Sequence, residues 1–148
     1  MLGQFKAPEA WFSRVEATFI EPDRVMAKDP RMLAKSTPTP GARLSIRRGP
    51  AETEHAAESL TEFANYLIEQ VPGIRKSAEG PVTFKDGTQG AAATFLLDNE
   101  GMTWAQRHVY RHDAGWVTHF TMSVTADAQA RLEGELWGLI NTWQPSAG

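Results

Sequence analysis

Two periods of apolar residues divide this chain. From Ser59 to Gly73 the period is helical: Leu60, Phe63, Leu67 and Val71 make one stripe. Ser59-Leu60-Thr61-Glu62 reads as a capping box at its start, and Pro72-Gly73 stops it. From Ile74 to Thr125 the period is two. Val82-Thr83-Phe84 runs into Lys85-Asp86-Gly87, a tight-turn signal. Strands are predicted at Gln89 to Leu97, Met102 to His112 and Trp116 to Val124, reversed at Asn99-Glu100-Gly101 and Asp113-Ala114-Gly115. Consecutive hairpins with short loops predict an antiparallel meander. A second helix is predicted from about Ala126 to Trp143, with Leu132, Leu136, Leu139, Ile140 and Trp143 on its buried face and Pro145 beyond its end. Gly134 and Gly138 inside it are expected to mark close packing against the sheet.

The first third is different. It holds Pro8, Pro22, Pro30, Pro38, Pro40 and Pro50, six of the nine prolines, so short edge strands and turns are expected there. Trp11 to Phe19 alternates weakly, and Ala42 to Arg48 places Leu44 and Ile46 on one side of a strand. The order strands, helix, meander, helix predicts an α+β fold over one domain, 1–148: an antiparallel sheet with two helices packed on one face.

The 148 residues are 41% apolar, enough for a core, and carry 15 Lys+Arg against 18 Asp+Glu, a net charge of −3. Nucleic acid as the main partner would need a concentrated basic face, which this chain lacks. With no cysteine, thiolate metal sites, disulfides and cysteine nucleophiles are excluded. No apolar run approaches the ~18 residues of a membrane span, and Met1 to Ala10 shows no signal peptide, so a cytoplasmic protein without direct membrane insertion is expected.

The simplest registers set by the two turns place His108 opposite Ala91 and His119. One face then collects Ala91, Ala93, Phe95, Trp104, Gln106, His108, Tyr110, Val117, His119, Thr121 and Ser123, with no lysine, arginine or carboxylate. The other carries Ala92, Thr94, Leu96, Ala105, Arg107, Val109, Trp116, Thr118, Phe120 and Met122, the better partner for helical stripes. The first face is therefore expected to stay open as a groove for an apolar segment of another protein, unless the N-terminal third folds across it. Of the late tryptophans, Trp116 and Trp143 are assigned to the sheet–helix core, Trp137 to the edge of the helical stripe and Trp104 to the open face.

Catalysis is not expected. His108 and His119 share a face without a third ligand, so no metal is assigned. No G-x-S-x-G elbow is present, Ser123 lies in a strand, and Asp98 and Glu100 sit in a turn. The glycines Gly87, Gly90 and Gly101 are scattered among hairpins and form no phosphate loop. Arg47-Arg48 and Arg75-Lys76 read as solvated pairs. No cofactor is implied.

From Ser59 to Pro145 the chain resembles the DcrB-like, Mog1/PsbP-type fold, and is most similar to the effector-associated (Eag-type) chaperones of bacterial type VI secretion. The resemblance rests on the helix with Phe63 and Tyr66, Val71-Pro72-Gly73-Ile74, the Asp86-Gly87 hairpin, the small-residue strand Ala91 to Leu97, Gln106-Arg107-His108-Val109-Tyr110, and the Thr/Ser-rich strand His119 to Thr125. It covers about three fifths of the chain and omits the first fifty residues. It implies a non-enzymatic homodimer whose concave sheets cradle the N-terminal transmembrane helices of a secreted effector. The expected client-binding residues are Ala91, Ala93, Phe95, Trp104, Gln106, His108, His119 and Thr121. A polar contact implied by the resemblance falls on His108, where glutamine is more familiar, and would make client binding pH-dependent. The alternative is a periplasmic or lipoprotein-type binding protein of the same fold with another ligand.

Overall fold

Two-residue turns set the architecture. Glu100 and Gly101 (φ 51° and 77°) and Ala114 and Gly115 (φ 46° and 84°) occupy the left-handed region that matches the right-handed twist of a hairpin. In the computed structural model, which describes residues 15–20 and 42–145 and the side chains of 42–130 and 133–145, these turns join β4 (Gln89–Asn99), β5 (Met102–Asp113) and β6 (Trp116–Thr125). The sheet continues on one side to β3 (Arg75–Thr83) and on the other to β2 (Ala42–Pro50) and β1 (Val15–Ile20). All five pairings are antiparallel, in the order β1-β2-β6-β5-β4-β3. The N-terminal strands thus extend the sheet at its edge instead of crossing its face. Of the strand expected from Trp11 to Phe19, Trp11 to Arg14 lie outside the described residues.

The fold is α+β, built on the expected antiparallel meander. The registers differ from the simplest ones by two residues: His108 faces Ala93 and Thr121. Because side chains alternate with a period of two, a two-residue shift leaves both face assignments intact.

The helices divide between the faces, where the sequence predicted both on one. Helix α1 (Ala56–Gln70) buries Ala56, Leu60 and Ala64 against Ala91, Ala93, Phe95 and Tyr110. After β6 come a short 3₁₀ turn (Ala126–Ala128), α2 (Ala130–Glu133) and α3 (Glu135–Asn141). Leu136 and Ile140 of α3 pack on the opposite face, against a core that includes Ala92, Ala105, Val109, Phe120 and Met122. The reason is capacity. Trp137 and Trp143 pack against that second core with the α3 residues. The stripe of α1 then meets the other side, where the alanines of β4 let a helix approach closely.

Two helix details also depart from expectation. Helix α1 starts at Ala56 with His55 in an extended conformation and no side-chain cap. The Ser59 hydroxyl is instead 2.7 Å from Thr53 Oγ1 and 2.9 Å from His112 Nε2. The closing helix is broken at Gly134 (φ −100°, ψ −86°), a poor helix former. A methyl group added at Gly138 would meet nothing within 4 Å, so that glycine does not mark close packing. Leu139 is exposed, and the side chain of Leu132 lies outside the described residues.

Among the described residues, the largest fully buried side chain is Arg111, on the α3 face. Its Nε donates to Asp113 (2.9 Å), Nη2 to Asp86 (2.5 Å) and Nη1 to the carbonyl oxygen of Trp143 (2.9 Å). The guanidinium lies 4.8 Å from the Phe84 ring centre and 5.5 Å from that of Trp143. One planar fork therefore ties the β3–β4 loop, the end of β5 and the chain after α3. The Lys85 amide donates to the Asn141 carbonyl (3.0 Å) beside it, using an oxygen left free at the end of α3. Burial opposes the Arg111 charge, but its bonds to Asp113 and Asp86 outweigh this and raise its pKa. The bond from Arg111, then the Thr88 amide, holds Asp86 at about 2.

Replacing Arg111 by Met leaves two carboxylates without their cation and should lower unfolding stability by about 3 kcal/mol. Arg111→Lys should recover only part, because one ammonium cannot fork to both carboxylates and a carbonyl. Urea unfolding of both variants checks this; a lysine variant as stable as the parent would contradict the clamp.

Candidate functional site

Among the described residues, the face that carries Ala91, Ala93 and Phe95 is uncovered over only part of its width. Helix α1 lies across β4 and β5, so Ala91, Ala93, Phe95 and His108 are buried beneath it, with His108 only 3% exposed. These four residues line a helix–sheet core and no open groove. Trp104, Gln106, His119 and Thr121 are half-buried, at the margin of the helix or beyond it.

Under the helix margin sits a ring cluster. Phe63 of α1 lies 4.8 Å, centre to centre, from both His108 and His119, and Tyr110 stacks on His119 at 4.3 Å and 12°. His108 Nδ1 and His119 Nε2 are 2.9 Å apart, with Thr121 Oγ1 3.3 Å from each. His108 Nε2 is 3.4 Å from Gln106 Oε1. One arrangement of protons satisfies both contacts of a neutral His108: His119 Nε2–H donates to His108 Nδ1, and His108 Nε2–H donates to the Gln106 oxygen. The Gln106 amino group then points away from the pair. Burial keeps His108 neutral, its pKa pushed down to about 4. Burial likewise raises the Tyr110 phenol.

Two nitrogens in direct contact leave no space for an ion between them. Among the described residues, no group of three His, Asp or Glu side chains is placed to hold a metal. Ser59 and His112 are 2.9 Å apart, and Thr53 is the second partner of the Ser59 hydroxyl. Thr53 gives its proton to the His55 carbonyl (3.2 Å). Ser59 donating to Thr53 and accepting from His112 is then an arrangement of protons that satisfies all three contacts. The trio fastens the start of α1 to the end of β5.

Beyond the helix the face opens into a pocket of about 350 Å³. Leu97, Met102 and Trp104 form its apolar wall, while Arg43, Gln106 and Ser123 supply polar groups. Asn99 and Glu100 of the β4–β5 turn stand at its rim. Arg43, Ser123 and Gln106 are direct register partners, so their side chains form one row across β2, β6 and β5. Of the eight residues expected to bind a client, only Trp104 and Gln106 line this pocket. Arg43, Leu97 and Met102 were missed, and Ser123 was placed on this face without being assigned to the client. Ser123 and Leu97 follow from the alternation, whereas Arg43 required the β2–β6 register, which no turn specifies.

No family model and no curated protein matches this chain. Solved structures do. PA94, a protein of unknown function from Pseudomonas aeruginosa, superposes over 97% of this chain and 92% of its own, at 18% identity and a TM-score of 0.70. LpqN of Mycobacterium tuberculosis, involved in cell envelope biogenesis, matches 90% of this chain and 86% of its own, at 16% identity and a TM-score of 0.51. The likeness is one of fold. No helix among the described residues is long and apolar enough to cross a membrane.

The depressed His108 pKa has a definite sign. Between about 4 and the ordinary 6.5 the unfolded chain binds a proton that the folded chain refuses. Stability should therefore be complete above pH 6.5 and fall by about 3 kcal/mol as pH drops toward 4. Asp86, held at about 2, adds a second loss below its ordinary 3.8. In His108→Gln the upper loss should disappear and the lower one remain, as measured by denaturant unfolding at stepped pH. An unchanged upper loss in the variant would assign it elsewhere.

Proposed function

We propose that this protein is a chaperone or adaptor that holds an apolar helix of another protein against the uncovered part of the α1 face. The supporting observation is that this region, from Trp104 and Leu97 across to β2, combines an apolar wall with amide, hydroxyl and guanidinium groups and, among the described residues, is covered by no helix. A client helix needs this mixture, because its side chains seek apolar contact while its backbone and small polar residues seek hydrogen bonds. The resemblance to Eag-type chaperones names the client as the N-terminal transmembrane helices of a type VI secretion effector, bound in the cytoplasm by a homodimer. In this reading the contact residues are Trp104, Gln106, Thr121 and Ser123. Ala91, Ala93, Phe95 and His108 act indirectly, by seating α1.

A second reading, a binding protein for a small ligand as in periplasmic or lipoprotein-type relatives of the fold, draws on the pocket volume. About 350 Å³ lies at the small end of the usual range for such sites.

A lysine-flanked Leu/Ala helical peptide should bind and shift the tryptophan fluorescence, and Trp104→Ala should weaken binding about tenfold or more. Trp104 is half-buried, so the variant should keep its fold, checked by circular dichroism. Equal binding by the variant would move the seat elsewhere. Binding of small organic anions with no peptide binding would favour the second reading.

A further inference from the structure

We propose that the pocket beside Trp104 is specific for a carboxylate, supplied by a glutamate or aspartate within the bound apolar helix. The inference deepens the function proposed above and rests on it. It starts from the row of Arg43, Ser123 and Gln106 across three neighbouring strands. Among the described residues, neither the Arg43 guanidinium nor the Ser123 hydroxyl has a hydrogen-bond partner. The Gln106 oxygen takes the His108 proton, which leaves the Gln106 amino group as a free donor. The row thus offers guanidinium, hydroxyl and amino hydrogens side by side and calls for a ligand with several acceptor lone pairs, which a carboxylate has and an amide has only in part.

The lining holds one cation and one carboxylate, and only the cation belongs to the donor row. Arg43 is exposed and, among the described residues, has no carboxylate partner. Glu100 lines the pocket from the turn at the end of β4, while Arg43 stands in the donor row itself. A carboxylate in an apolar helix is costly unless paired, so a seat that pairs it also discriminates between helices. Trp104, Leu97 and Met102 fit the methylene stem and the neighbouring apolar side chains of the same helix.

The test uses the full chain and two lysine-flanked Leu/Ala peptides of about 20 residues, one with a central glutamate and one with glutamine. Affinity is read by tryptophan fluorescence at pH 7.5. The glutamate peptide should bind about tenfold tighter. Arg43→Gln should abolish the difference, and Gln106→Glu should reverse it by removing a donor and adding a like charge. If both peptides bind equally to the parent protein, the carboxylate inference falls while the helix-binding reading stands. If neither binds, the helix-binding reading falls and takes the inference with it. If millimolar sodium acetate displaces the glutamate peptide, the occupant is a free small carboxylate, and the assignment to a helix is overturned.

Discussion

Strand β5 is buried on both faces, and the rest of the fold answers that constraint. His108, Val109, Tyr110 and Arg111 are consecutive buried residues, so side chains alternate between two cores with no wet side. Two of the four are basic and lie on opposite faces. Each is accommodated differently. Arg111 keeps its charge because two carboxylates and a carbonyl surround it. His108 has no carboxylate among its hydrogen-bond partners and stays neutral, satisfied by His119, Thr121 and Gln106. The arginine locks the hairpin loops to the end of α3. The histidine pair sits beneath Phe63 and sets the edge of the helix-covered region.

Much of this was legible in the sequence, for identifiable reasons. The hairpins are written locally, because Glu100-Gly101 and Ala114-Gly115 occupy the left-handed region at each reversal. Face assignments survived an error in register because the error was even. The distribution of helices was not legible. It depends on which face has room, and that is decided by the packing of Trp137 and Trp143, far away in sequence. The capping-box pattern at Ser59 misled for a similar reason: its hydroxyl finds partners in Thr53 and His112, the latter across the fold. Arg111 drew no attention because its carboxylates come from two turns, at Asp86 and Asp113, that read only as chain reversals.

The division of one face into a covered and an uncovered part is the feature that bears on function. Continuous cover would leave only a core. With α1 packed mainly over β4 and β5 and reaching β6 only through Phe63 at His119 and Val117, the same chemistry that fills a core continues out from under the helix and ends in a pocket beside Trp104. Gln106 connects the two: its oxygen faces the histidine pair, and it lines the pocket that its amino group can serve. The small residues expected to touch a client instead seat α1, and the residues that remain open are larger and more polar.

A client helix seated on the part of the sheet beyond α1 does not touch the outer surface of α1, where Tyr66 and Ile68 are also exposed. Photo-crosslinking decides between these surfaces most directly, with a benzophenone side chain placed in turn at Met102 and at Ile68. The probe at position 102 should capture an apolar helical peptide and the probe at position 68 should not. Capture from position 68 alone would contradict this seating.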